Sequence, residues 1–362
     1  MIPVNDPSRQ NQALRSELAA AVDVVLDHGK FIGGPEVGEF EEAFRAWTGA
    51  ADAVGVANGT DALRLMLQAG GVGPGDEVLV PDFTMIATPE AVLQLGATPV
   101  LVEVLPGTYG IDPDAAAEAV TDRTRAALVV SLFGNPCPVP ALPDTVTVYE
   151  DACQAHGASI DGAMVGTLGA AGGFSFFPAK NLGGIGDGGM VVTMDPDLGE
   201  RIRKLRNHGR TAQYEHDRWG WNSRLDTIQA AALLVKLRHL DAGTARRQAI
   251  AALYRDRFAE LDLELPVIVD GGISVSNLFV VACDDRDRLR DRLAAKGVGS
   301  AVHYELPLHR QPALAGRAVG PPRPETTARI CSRVLSLPCF PELTDAEVDQ
   351  VAEAVVDALS SP

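Results

Sequence analysis

The stretch Val146-Thr147-Val148-Tyr149-Glu150-Asp151-Ala152-Cys153-Gln154-Ala155-His156-Gly157 decides how this chain is read. A short apolar run leads straight into a carboxylate, so Asp151 is predicted at the C-terminal end of a strand. In an open α/β sheet that edge is where ligands bind. Gln154 and His156 follow closely enough to share one site. The lesser alternative is that Asp151 merely caps a helix, and Cys153 reads as a small buried thiol rather than a nucleophile.

Working outward, runs rich in Val and Leu recur at 77–80, 99–104, 126–132 and 146–149, the pattern of buried parallel strands. Helical segments lie between and around them at 61–69, 89–95 and 113–120. This alternation predicts an α/β domain with a largely parallel sheet covered by helices over residues 1–240. Beyond it come a helical stretch at 226–240 and an amphipathic one at 244–261. A strand at 277–282, a charged helix at 285–296, a strand ending in Val302-His303-Tyr304 and a last helix at 346–359 follow. That succession predicts a smaller α+β domain over residues 241–362, with a long helix bridging the two. No internal repeat or low-complexity tract is visible.

The chain has 362 residues, with 46% hydrophobic and 22% charged, the profile of a globular protein. Its net charge of −17 and the lack of clustered Lys/Arg argue against nucleic acid and anionic membranes as partners. No apolar run is long enough to cross a bilayer, and the N-terminus lacks the pattern of a signal peptide. The cysteines are odd in number and form no C-x-x-C pair, so neither a disulfide framework nor a zinc site is expected. A cytoplasmic protein is the expectation.

Of the 31 basic residues only five are lysines: Lys30, Lys180, Lys204, Lys236 and Lys296. Four fall in helices or a hydrophilic loop, where solvated charge explains them. Lys180 does not. It lies between the strand-like Phe174-Ser175-Phe176 and a glycine-rich turn. Gly184 to Gly189 formally matches G-x-G-x-x-G, but these glycines lead into a strand rather than opening a helix, so a dinucleotide site is not indicated. In Asn58-Gly59-Thr60-Asp61-Ala62-Leu63, Thr60 reads as an N-cap, and the amides at this helix start could hold a phosphate. A lysine, an aspartate at a strand end and a phosphate grip together make the set that pyridoxal 5′-phosphate requires.

With these segments in order, the chain resembles the DegT/DnrJ/EryC1/StrS family of sugar aminotransferases, of the fold type I, aspartate aminotransferase superfamily. The resemblance also takes in Phe31-Ile32-Gly33-Gly34-Pro35-Glu36, Gly73-Pro74-Gly75-Asp76-Glu77-Val78, Phe177-Pro178-Ala179-Lys180-Asn181, Gly220-Trp221-Asn222-Ser223-Arg224-Leu225-Asp226 and Val302-His303-Tyr304. It implies that Lys180 carries the coenzyme as a Schiff base and that Asp151 keeps the pyridine nitrogen protonated. It places Gln154 against the ring and its hydroxyl, and Gly59, Thr60 and Ser175 at the phosphate. Asn222 would reach the phosphate of a neighbouring subunit, making a homodimer the minimal active unit. Met85 stands where the family usually carries an aromatic residue stacked on the ring, and Cys153 where alanine is commoner.

The implied reaction moves an amino group from glutamate or glutamine to a keto group of a dTDP- or UDP-linked deoxysugar. A keto-cyclitol acceptor is the alternative, and a sugar dehydratase a further one. Dehydratases of the family typically carry histidine in place of the lysine. A regulatory protein that kept the fold is the rival from another class. The Arg-rich, Lys-poor and Ala-rich composition suggests a GC-rich bacterial genome and an amino sugar for a natural product, or else for a surface polysaccharide. Arg224 is the candidate for an anionic group, with a surface ion pair the alternative, and His303 and Tyr304 for the substrate pocket. His208, Tyr214 and His216 fall in a loop placed to contact the sugar nucleotide. A cluster of arginines is expected to make the cleft positive on an otherwise acidic molecule.

Overall fold

Seven strands build the central sheet of the computed structural model, which describes residues 1–360. They are β1 (Asp52–Val56), β2 (Glu77–Pro81), β3 (Thr98–Val102), β4 (Thr124–Val130), β5 (Thr147–Asp151), β6 (Ala171–Ser175) and β7 (Gly189–Thr193). Their spatial order is β1-β7-β6-β5-β4-β2-β3. Strands β2 to β6 pair in parallel, and β7 runs antiparallel to both β6 and β1. The near-continuous apolar strands are explained by burial of both faces. In β4, Ala126 and Leu128 join one core cluster while Ala127 and Val129 join another on the opposite face.

The sheet direction gathers the site. Strands β1, β2, β5 and β6 end along one edge, and the residues just beyond them are Asn58 to Thr60, Thr84 to Thr88, Asp151 to Gln154 and Ser175 to Lys180. Segments from residue 58 to residue 180 therefore meet because the strands that carry them run in the same direction across one sheet.

The second unit is an antiparallel pair, Phe279–Ala282 with Val334–Leu337, covered by the helices Arg286–Ala295 and Asp345–Ser360. The segments expected at 226–240 and 244–261 form one helix, Thr227–Phe258. Gly243 lies inside it, at a cost of roughly 1 kcal/mol relative to alanine. Packing on both sides outweighs that cost: Ala230 and Leu233 bury against the sheet side, and Ile250, Tyr254 and Phe258 enter the core of the smaller unit. The position 240/241 falls within this helix. Ile2, at the other end of the chain, also packs into the smaller unit, its amide donating to Gly297 O at 2.8 Å.

Three local expectations are corrected. Residues 302–304 are not a strand. Ala301 makes a lone bridge to Ser336, and the chain then turns, with a cis peptide between His303 and Tyr304, to bring Tyr304 back to the sheet edge. The N-cap of the Gly59–Ala69 helix is Asn58, whose Oδ1 accepts from Asp61 N at 2.8 Å. Thr60 is thus inside the first turn. Lys236 is not solvated: it is 3% exposed, and among the described residues its Nζ has no hydrogen-bond partner.

Candidate active site

A cleft of ≈ 560 Å³ opens at the shared strand edge, and Asp151 and Lys180 both line it. Asp151 closes β5 and is buried. Its Oδ2 accepts from Thr88 Oγ1 at 2.8 Å and its Oδ1 from Cys153 N at 3.2 Å. Strand alternation sends the neighbouring Glu150 to the other face. There it accepts the amides of Gly166, Leu168 and Gly169, each at 2.7 Å, although burial still pushes its carboxyl pKa up. Of two adjacent acids, only Asp151 is offered to a ligand.

Lys180 sits in the turn after β6, its amide donating to Phe177 O at 2.9 Å. Burial lowers the pKa of its amine, against the opposing pull of Cys153 and Asp151. Among the described residues nothing pairs with that amine. An amine held with its basicity reduced, facing a cleft, is equipped for bond formation and proton transfer.

A close approach shapes the start of the Gly59–Ala69 helix. A Cβ added to Gly59 would stand 2.6 Å from Ser175 Cβ and 3.0 Å from Cys153 Sγ, so only glycine fits. The first-turn amides of the Gly59–Ala69 helix have no intrahelical partner and face this cradle with the positive end of the helix. The Ser175 hydroxyl stands beside them, accepting from Phe177 N at 3.3 Å and free to donate. The fit to an anionic phosphate is direct.

Gln154 is fixed at both ends of its amide. Its Oε1 accepts from Phe133 N at 2.9 Å and its Nε2 donates to Tyr304 Oη at 3.2 Å. Burial pushes the Tyr304 phenol up to about 12. His303 Nδ1 lies 2.8 Å from Ser336 Oγ, and burial, then Lys180, lowers its pKa. Met85 also lines the cleft, half-exposed. His156 lies behind the site, buried against Phe174 and Phe176, with its pKa pushed down to about 3 by burial and then by Lys180.

Nine of the eleven expected site residues thus line one cleft: Gly59, Thr60, Met85, Asp151, Gln154, Ser175, Lys180, His303 and Tyr304. Asn222 and Arg224 do not. Asn222 is exposed, and Arg224 donates through Nη1 to Asn207 Oδ1 at 3.2 Å. The expected arginines are also missing from the cleft lining. Its cationic side chains are Lys180 and, when protonated, His303, set against Asp151 and Asp187. Arginines near the sheet are used elsewhere, Arg203 on Asp52 and Arg206 on Glu41. Two contributors were not visible in the sequence. Thr88 orients Asp151, and Asn5 Nδ2 donates to Ala179 O at 2.9 Å, immediately before the lysine.

A sheet of this topology with a cleft lysine, a strand-end aspartate and a phosphate cradle defines the fold type I class of pyridoxal phosphate-dependent transferases. The DegT/DnrJ/EryC1/StrS aminotransferase family matches residues 12–356, and the chain belongs to it. A dTDP-3-amino-3,4,6-trideoxy-alpha-D-glucose transaminase from Streptomyces venezuelae is 44% identical over 363 residues, covering 98% of this chain and 95% of the relative. A UDP-N-acetyl-3-dehydro-alpha-D-glucosamine 3-aminotransferase from Acidithiobacillus ferrooxidans is 41% identical, covering 98% and 97%. The crystal structure of S. venezuelae DesV superposes with a TM-score of 0.95 at 42% identity, covering 100% of this chain and 99% of that one.

Proposed function

We propose that the protein is a pyridoxal phosphate-dependent aminotransferase that moves an amino group from glutamate or glutamine to a keto group of a dTDP- or UDP-linked deoxysugar. The observation that carries this is Lys180 and Asp151 facing one cleft beside the Gly59 cradle. The two relatives support amination at C3, since the names of both place the amine there. The reading includes a cytoplasmic homodimer that serves amino-sugar biosynthesis for a natural product, with Asn222 completing the partner's phosphate site. Exposed Phe31, Ile32, Phe177 and Ile185 supply apolar surface for such a contact.

When bound, pyridoxal phosphate supplies an electron sink for the bonds at the donor's Cα. The chain's residues do the rest. Gly59 and Thr60 amides with the Ser175 hydroxyl bind the phosphate, and Asp151 holds a proton on the ring nitrogen. Thr88 keeps one Asp151 oxygen occupied and so fixes the direction of the other. Gln154, braced by Phe133 and Tyr304, orients the ring hydroxyl. Lys180 holds the group through its amine and, once freed, moves the proton from Cα, for which a lowered pKa suits it.

The test is a donor half-reaction: coenzyme-loaded protein mixed with glutamate should lose its visible absorbance and release 2-oxoglutarate. Loss of the band with no keto acid formed would refute the reading.

A further inference from the structure

Residues 274–278, which lead into the antiparallel pair of the smaller unit, border the cleft, and Asn277 and Leu278 line it. The segment is braced on three sides. Val275 N and Ser274 Oγ both donate to Gly134 O at 3.0 Å, and Leu278 N donates to Phe133 O at 3.2 Å. Asn181, the residue after the lysine, donates through Nδ2 to Val275 O at 3.2 Å. Arg247, buried on the long helix, gives one guanidinium nitrogen to Asn277 O at 3.3 Å, to Ser276 O at 3.4 Å and to Cys339 O. Ser276 itself is held at φ 43°, a left-handed conformation that a serine keeps only where its surroundings impose it.

This bracing presents an amide that holds nothing. Asn277 is 5% exposed, its Oδ1 is buried without a partner, and its Nδ2 donates to no described residue. Other polar side chains of the lining are engaged: Asn5 with Ala179 O, Thr84 with Thr88, His303 with Ser336 and Tyr304 with Gln154. A buried amide left unpaired destabilises the fold, and a ligand that pairs with it removes the penalty.

The chemistry of the cleft says which ligand group that is. In the proposed reaction an amino acid and then a sugar occupy the same place over the coenzyme. No arginine lines the cleft to take the amino acid's carboxylate. A guanidinium fixed there would be left unpaired under the uncharged ring of a sugar. An amide carries two donors and an acceptor, so it can meet a carboxylate and later a hydroxyl. We infer that Asn277 receives the α-carboxylate of the amino-acid donor through Nδ2 and, in the return half-reaction, a hydroxyl of the acceptor sugar. The inference rests on the aminotransferase reading proposed above.

Two variants of the coenzyme-loaded protein test it. Asn277→Asp keeps the shape but replaces the donors with a negative charge, and Asn277→Leu is apolar and of similar size. 2-Methylglutamate and 2-methylglutamine lack the Cα proton, so they bind without reacting onward, and their affinity is read from the visible spectrum. Asn277→Leu should bind both about 10- to 100-fold more weakly, and Asn277→Asp at least about 100-fold. The two analogues should lose equally, because the α-carboxylate is the anion they share. The KM for the nucleotide-linked keto sugar should rise about 2- to 10-fold in Asn277→Leu and stay within about threefold in Asn277→Asp, whose carboxylate still accepts from a hydroxyl. Coenzyme affinity and the Tm of Asn277→Leu should not fall, since the amide holds no other part of the protein. Analogue affinities within about threefold of wild type in both variants would overturn the inference. So would a loss confined to 2-methylglutamate, which would place the amide on the side-chain carboxylate, or a loss matched by the fall in coenzyme affinity. A coenzyme-loaded wild-type protein that takes an amino group from neither glutamate nor glutamine would instead sink the proposed function.

Discussion

Replacing Gly59 with alanine perturbs the phosphate cradle by one methyl group. The added Cβ would stand 2.6 Å from Ser175 Cβ and 3.0 Å from Cys153 Sγ. Carbon atoms in contact sit about 3.5–4.0 Å apart, so the first contact is short by about 1 Å. Neither neighbour yields easily: Ser175 ends a central strand, and Cys153 follows Asp151 on another. Overpacking of this kind costs roughly 1–3 kcal/mol, partly offset by the better helix propensity of alanine, worth at most about 1 kcal/mol. The cheapest relief is for the helix start to retreat from the strands. That withdraws the amides from a bound phosphate, and a hydrogen bond to a charged group is worth roughly 1.5–3 kcal/mol. The coenzyme Kd of Gly59→Ala should therefore rise about 10- to 100-fold. Titration of apo protein with pyridoxal phosphate, followed by visible absorbance, measures it, and a thermal melt separates any loss of stability. A Kd within twofold of wild type in a folded variant would refute the cradle.

Thr88→Val leaves a buried Asp151 oxygen without its side-chain donor, and about tenfold should be lost from kcat with KM little changed. Thr88→Ser should restore most of it, and steady-state kinetics of the three proteins decide the matter. Met85→Tyr puts an aromatic face where a half-exposed thioether now lines the cleft, and the coenzyme should bind roughly 2- to 10-fold more tightly. An unchanged coenzyme titration would show that residue 85 does not face the ring. Lys236 makes a pH prediction, because burial lowers its amine from 10.5 to about 8. Between those values the unfolded chain binds more protons, so stability rises with pH across that window. Below about pH 8 the folded state bears the full penalty, at most about 3 kcal/mol. Lys236→Met should raise Tm at pH 7 and gain progressively less toward pH 10; melts giving an equal gain at both would contradict the account.

Much of the site was legible because parallel strands present their carboxyl ends to one edge, so an apolar run followed by Asp151, or by Ser175 and Lys180, already states where those side chains lie. Asn58 illustrates the limit of local reading. Asn58 and Thr60 are both good caps, and only the backbone turn decides between them. Thr88 and Asn5 were not legible, since each acts through a partner 63 or 174 residues away. The stretches at 226–240 and 244–261, expected as separate segments with a long helix bridging the two domains, are one helix that runs through Gly243, because packing against two cores outweighs the glycine's cost. Lys236 was read as solvated because a helix pattern does not show which polar face another element will cover. The arginine-lined cleft failed for a related reason: net charge and composition do not say which arginines strand geometry has already committed to ion pairs.

Transfer of isotopically labelled glutamate nitrogen to a nucleotide-linked keto sugar, read by mass spectrometry of the sugar product, tests the central claim most directly. Wild-type protein should place the label on the C3 amine of a dTDP- or UDP-linked deoxysugar, and Lys180→Ala should place none. Label on scyllo-inosose but on no nucleotide-linked sugar, or label transfer that survives Lys180→Ala, would contradict it.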